Sequence, residues 1–293
     1  MKIAMLHLTD GQHCAAVVDE RERRCWPVAE LLPGFDGDIL ALIRDWERIA
    51  PRLAPSGHGR PLDEARCLAP LRPPRNLFCV GKNYRAHAAE FARSGFDRTA
   101  AAGEDAPEAP VIFTKTPQTV IGDSEPIPRH AGTTAALDYE AELAVVIGRG
   151  GRGIARERAM EHVWGYTIAN DVTARDLQAR HRQWFLGKSL DGFCPLGPWL
   201  VSADAFDPAR ARIRCWVDDE LRQDACTGDL IFDIPTLIAT LSAGIALQPG
   251  DLILTGTPAG VGIGFEPPRF LQAGQRVRIA IDGIGTLQNP IGA

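Results

Sequence analysis

The 293 residues contain no C-x-x-C pair, no strong excess of either charge and no apolar run long enough for a bilayer. The most apolar stretch, Pro235 to Leu247, is interrupted by Thr236, Thr240 and Ser242. A membrane helix needs about 20 apolar residues, so this stretch reads as a core helix. Met1 to Leu8 is broken by His7 and ends near Asp10, too short for a signal-peptide core. Cysteines 14, 25, 67, 79, 194, 215 and 226 are an odd set. They read as reduced, mostly buried small hydrophobes of a cytoplasmic protein, not as disulfides or zinc ligands. With 32 Lys and Arg against 37 Asp and Glu, the net charge is −5, and the pI is near 5.8. That balance argues against a nucleic-acid or anionic-membrane binder. Aromatics are scarce at 7%, whereas Gly (29) and Pro (22) are plentiful. Short strands joined by many turns fit that composition better than a helical bundle.

Several functional signatures are missing too. Gly187-Lys188-Ser189 resembles the end of a phosphate loop, but the glycine such a loop needs is replaced by Arg182. The Gly260–Gly264 run lacks dinucleotide-binding spacing and leads into Pro267-Pro268. No G-x-S-x-G or H-E-x-x-H occurs. ATPase, Rossmann dehydrogenase, serine hydrolase and zinc protease readings are thereby disfavoured.

A Pro-rich junction at Leu68–Pro74 divides the chain into a small domain, 1–72, and a larger one, 73–293. In the first, Lys2–Leu8 and Ala15–Val18 read as a strand pair turned at Asp10-Gly11, followed by a helix over Asp36–Ala50. In the second, strands are expected at Val111–Phe113, Glu140–Ile147, Trp164–Ala169, Ile213–Val217, Leu252–Thr255 and Arg276–Ile281. Helices are expected at Tyr84–Phe91, Ala155–Glu161, Asp176–Trp184 and Ile234–Ala246, the last capped by Asp233. The segment 91–110 has no periodicity and is either disordered filler or an active-site lid. The fold class is β-rich α+β.

Three clusters carry chemistry. In Leu137-Asp138-Tyr139-Glu140-Ala141-Glu142, period-two alternation places Glu140 and Glu142 on one face as they enter an apolar strand. Buried together, they need protons, cationic partners or a metal; on an edge strand they would be solvated. The strand ending at Asn170-Asp171 supplies a third carboxylate, with Asp176 competing for that role. An all-oxygen set suits Mg²⁺ or Mn²⁺, with Ca²⁺ as a further candidate. His87 and Glu90 stand three apart on a helix, so the carboxylate can raise the basicity of the imidazole.

The ordered segments V-G-K-N-Y-x-x-H-x-x-E, D-Y-E-x-E-L-A-V-V-I-G, N-D-V-T-A-R-D-L-Q, G-K-S-L-D-G-F-C-P-L-G-P-W and G-D-L-I-L-T-G-T-P-x-G-V-G resemble the fumarylacetoacetate hydrolase family from about Pro74 to Ile291. The resemblance implies a distorted β-roll with a small N-terminal α+β cap, usually dimeric, with one divalent cation per site. It implies metal ligands at Glu140, Glu142 and Asp171, a water-activating dyad at His87 and Glu90, and catalytic Lys188. It further implies substrate contacts at Gln178 and Thr257, with Arg175 and Lys115 as weaker candidates. The reaction it implies is hydrolytic C–C cleavage of a β-diketo acid of the acylpyruvate or fumarylpyruvate type, through an enolate stabilised by the cation. Oxaloacetate decarboxylation, isomerisation or hydration of 2-hydroxy-dienoic acids and hydrolysis of diketo sugar acids use related machinery. A keto-acid-binding protein without turnover is the reading from another class. The expected partner is a small keto acid and a second copy of the chain, not nucleic acid or membrane.

Overall fold

Leu143 to Ile147 is apolar at every position and is buried throughout, which requires packing on both faces of its strand. The computed structural model, which describes residues 1–35, 37–96 and 107–293, shows that packing. Leu143, Val145 and Ile147 enter one hydrophobic cluster, while Ala144 and Val146 enter another on the opposite face. Strand Ala141–Ile147 lies between Val163–Asn170 and Leu252–Leu254 in the main sheet.

That sheet runs, in spatial order, Arg60–Pro61, Arg24–Pro27, His13–Asp19, Lys2–Leu8, Cys194–Ser202, Val163–Asn170, Ala141–Ile147, Leu252–Leu254, Leu77–Gly81 and Val111–Lys115. Neighbours along this path are antiparallel except Leu252–Leu254 with Leu77–Gly81. The path has two ends, so it is an open sheet and not a closed barrel. A second antiparallel sheet orders Glu220–Cys226, Arg212–Val217, Arg276–Ile281 and Gly285–Pro290. The architecture is sheet-rich α+β.

The first hairpin forms where its alternation and Asp-Gly turn place it. Lys2–Leu8 pairs with His13–Asp19, and Asp10 accepts the Gln12 N–H at 2.9 Å. Lys2 and Ile3 then pair with Val201 and Leu200, and the Met1 amino group donates to Ser202 Oγ at 2.7 Å. Both hydrophobic clusters draw residues from either side of position 72. The main sheet and both clusters thus run across the 72/73 junction.

Elsewhere the expected elements shift for local reasons. The helix expected over Asp36–Ala50 is two short ones, Ile39–Arg44 and Trp46–Ile49, separated at Asp45; Asp36 lies outside the described residues. The helix expected over Asp176–Trp184 becomes Arg175–His181 and Phe185–Lys188, broken at Arg182, whose φ is +60°. Ile234–Ser242 carries the Asp233 cap, which accepts the Thr236 N–H at 2.9 Å, and stops short of Gly244. Ala155–Glu161 is replaced by a 3-10 helix at Arg156–His162. The nine-residue strand Cys194–Ser202 has no counterpart in the sequence expectations, because Pro195, Gly197 and Pro198 read as turn residues. An irregular register between Tyr166 and Ile168 accompanies that pairing.

All seven cysteines are free. Burial pushes the thiols of Cys14 up to about 11 and Cys67 up to about 12, as expected for packing residues. Among the described residues, no helix is long and apolar enough to cross a membrane. The lid alternative for 91–110 falls largely on 97–106, outside the described residues.

Candidate active site

The pairing of Ala141 with Asn170 brings the start of one strand against the end of its neighbour. Asn170 Oδ1 accepts the Glu140 N–H at 3.0 Å, and the Asp171 N–H donates to the Glu140 carbonyl at 2.8 Å. Glu140, Glu142 and Asp171 each contribute a carboxylate oxygen, all within 4.8 Å of one another, and all three are buried. Strand parity puts the two glutamates together, and the strand end adds the aspartate.

Three cations answer this buried charge. Lys188 Nζ lies 2.8 Å from Glu140 Oε2 and 2.7 Å from Asp171 Oδ2. Lys115 Nζ donates to Asp171 Oδ1 at 2.6 Å and to the Val172 carbonyl at 3.0 Å. Arg175 reaches Asp138 Oδ2 through Nε at 2.9 Å and Gln178 Oε1 through Nη1 at 3.1 Å. Its Nη2 is 2.7 Å from Glu140 Oε1, yet lies out of hydrogen-bond alignment. Burial disfavours ionisation of Glu140, but the Lys188 and Arg175 charges outweigh it and draw its pKa down to about 2. Burial likewise works against the Lys188 ammonium, and Asp171 and Glu140 more than restore it.

Glu142 differs. It accepts the Gly256 N–H at 2.7 Å and meets no cation at ion-pair distance among the described residues. Burial, reinforced by Asp171 and Glu140, pushes its carboxyl well above the ordinary range. With Asp138 included, four carboxylates face only Lys115, Arg175 and Lys188, so Glu142 lacks a cationic partner and its ionised form needs one. An all-carboxylate set with one uncompensated member fits a hard divalent cation.

The helix Arg85–Arg93 carries His87 and Glu90 on one side, with Nδ1 and Oε2 3.2 Å apart. His87, Glu140, Arg175, Gln178, Lys188 and Thr257 line one pocket. Its other wall is aromatic, with Phe91 and Phe113 both edge-on to Trp184. Gly81 permits this wall, because a Cβ there would stand 2.3 Å from the Trp184 ring. Lys115 is not among the lining residues; it is fully buried against Asp171. Asp176 caps locally, accepting from Thr134 Oγ1 at 2.6 Å and the Ala135 N–H at 3.0 Å.

Other members of the site were not visible in the sequence motifs. Gln223, from the second sheet, donates to Thr257 Oγ1 at 2.8 Å and accepts the Ala141 N–H at 3.0 Å. No local pattern marks a glutamine 82 residues from the Ala141 N–H it accepts. Asn83 ties the segment before the helix to the Thr255 carbonyl at 2.8 Å and the Phe232 carbonyl at 3.0 Å. Asp138 bonds Arg175 as described, and only its place two residues before Glu140 signals it.

The chain is a member of the fumarylacetoacetate hydrolase family: the family model described as fumarylacetoacetate (FAA) hydrolase C-terminal matches residues 76–292. Among curated relatives, oxaloacetate tautomerase YisK of Bacillus subtilis is 51% identical over 233 residues, covering 79% of this chain and 74% of that protein. Among solved structures, the fumarylacetoacetate hydrolase EaFAH of Exiguobacterium antarcticum is 42% identical with a TM-score of 0.83, all of both chains being covered. Maleylpyruvate hydrolase of Sphingobium sp. SYK-6, solved with manganese(II) and pyruvate, is 31% identical with a TM-score of 0.76. That match covers 100% of this chain and 99% of the other. Tautomerase and hydrolase names thus occur together in one enzyme family.

Proposed function

We propose that this protein is a divalent-metal-dependent enzyme that moves a proton at the carbon beside the keto group of a 2-oxo diacid such as oxaloacetate, interconverting keto and enol forms. The observation that carries this reading is the shared pocket of His87, Glu140 and Lys188, with Glu90 bonded to His87 and the carboxylate triad adjoining. The 51% identity to an oxaloacetate tautomerase supports the choice of substrate.

Glu140, Glu142 and Asp171 would hold Mg²⁺ or Mn²⁺. Such an ion, when bound, supplies electrophilic stabilisation of negative charge developing on the keto oxygen. Arg175, Gln178 and Thr257 bind and orient the substrate carboxylates. Glu90 accepts the His87 Nδ1 proton, leaving Nε2 as the base that removes a proton from C3. The proton His87 takes from C3 is passed on to the C2 oxygen, which returns the imidazole to its neutral form with no net proton gained or lost. Lys188 contributes positive charge beside that oxygen and keeps Glu140 ionised. The aromatic wall excludes water from the reacting carbon. In this reading the enzyme is a cytoplasmic homodimer, with residues 1–72 supporting the catalytic segment.

A second reading has His87 activate water for hydrolytic C–C cleavage of an acylpyruvate; the likeness to a maleylpyruvate hydrolase favours it. The test is the purified protein with Mg²⁺ or Mn²⁺. Loss of enol absorbance on oxaloacetate, without pyruvate release, supports tautomerisation. Stoichiometric pyruvate and carboxylic acid from an acylpyruvate support hydrolysis. No turnover of any keto acid, with tight keto-acid binding, overturns both.

A further inference from the structure

Glu90 is held by more than His87. The Gly260 N–H donates to its Oε1 at 2.9 Å and its Oε2 at 3.2 Å. A Cβ on Gly264 would stand 1.8 Å from Oε1 and 2.2 Å from Cδ, so that glycine leaves the space the carboxylate fills. The loop 260–264 is fixed from below by two consecutive residues. Asp138 accepts the Gly262 N–H at 2.6 Å and the Ile263 N–H at 3.1 Å. Tyr139 donates its hydroxyl to the Gly260 carbonyl at 2.8 Å. Both side chains are buried.

We propose that Asp138 and Tyr139 are positioning residues for Glu90, acting through the Gly260–Gly264 loop. The idea rests on the reading of His87 and Glu90 as the proton-transfer pair. A glutamate on a short helix has several rotamers open to it, and an imidazole is oriented only as well as its partner is. Tyr139 holds the carbonyl on the peptide group that follows the Gly260 Cα, while the N–H on the peptide group before it points at Glu90, so the hydroxyl steadies that N–H through the Gly260 Cα. Asp138 anchors the next turn of the loop and Arg175 together. The segment Asp138–Glu142 therefore sets two things at once: the carboxylates Glu140 and Glu142 directly, and the imidazole partner through the loop. The two groups that must face one substrate share one backbone reference.

Two variants test this. Gly264→Ala forces Glu90 from its seat, and Tyr139→Phe removes only the hydroxyl that holds Gly260. With oxaloacetate and Mn²⁺, kcat should fall about 10- to 100-fold in Gly264→Ala, less than the roughly 10²- to 10⁴-fold that losing a general acid–base group outright costs, and several-fold in Tyr139→Phe. KM and the calorimetric affinity for Mn²⁺ alone should stay within about twofold. Long-range ¹H–¹⁵N NMR of the imidazoles, with His87 assigned by loss of its signal in His87→Asn, should show the Nδ1–H tautomer in wild type and a mixture in Gly264→Ala. An unchanged His87 tautomer and wild-type kcat in both variants overturns the proposal. So does a loss of Mn²⁺ affinity as large as the loss of kcat. If wild type turns over no keto acid, the functional reading fails by itself, and the His87 tautomer still decides this proposal.

Discussion

Glu142 accepts the Gly256 N–H at 2.7 Å while Glu140, two residues before it, is paired with Lys188 at 2.8 Å. One buried carboxylate is answered by a cation and its neighbour is not. This asymmetry gives the first prediction: Mg²⁺ or Mn²⁺ should raise the thermal midpoint, with about 2.7 kcal/mol of stabilisation at a hundredfold excess over Kd. Glu142→Gln should weaken binding at least tenfold by titration calorimetry without unfolding the protein. Equal affinity in the variant would place the ion elsewhere.

Lys188 is buried between Glu140 and Asp171. Replacing it with methionine leaves two carboxylates short of a cation and should cost about 3–5 kcal/mol in urea unfolding of the metal-free protein. Added Mn²⁺ should recover part of that loss. A change below about 1 kcal/mol would mean that Lys115 and Arg175 suffice.

His87→Asn should lower turnover of oxaloacetate at least a hundredfold while leaving Mn²⁺ affinity near wild type, because His87 is not one of the three clustered oxygen donors. Comparable losses in both would make His87 part of the ion's environment.

Asp233 offers a pH test away from the site. Burial opposes its ionisation, but hydrogen bonds from Thr236 and the Arg156 guanidinium hold its carboxyl below the ordinary 3.8. A depressed folded-state pKa stabilises the fold above the unfolded value and ceases to do so as pH falls through the folded one. Asp233→Ala should therefore cost about 1 kcal/mol at pH 7, the usual worth of an N-cap. The difference from wild type should shrink below about pH 3.8. A pH-independent difference would show that the helix loses packing and not a charge.

Much of this was legible because the relevant signals are local. An apolar run with two glutamates at its entrance gives both strand and shared face. A strand ending in Asn170-Asp171 gives the third carboxylate, and i, i+3 spacing brings His87 to Glu90. The rest depends on distant chain segments. The strand Cys194–Ser202 hid behind two prolines that the sheet accommodates beside an irregular register. The ion pair of Lys115 with Asp171, 56 residues further on, is likewise set by the tertiary fold and not by spacing. Gln223 and the Gly260–Gly264 loop reach the site only through the second sheet and the turn after Leu252–Leu254, which no period or spacing encodes.

The most direct test of the account is hydrogen–deuterium exchange at C3 of oxaloacetate, followed by ¹H NMR with Mn²⁺-free, Mg²⁺-loaded enzyme. Wild type should exchange at least a hundredfold faster than Mg²⁺ alone, and both His87→Asn and Glu142→Gln should return close to the Mg²⁺ background. Wild-type exchange in His87→Asn would contradict the assignment of the base, and no exchange above background in wild type would contradict the function itself.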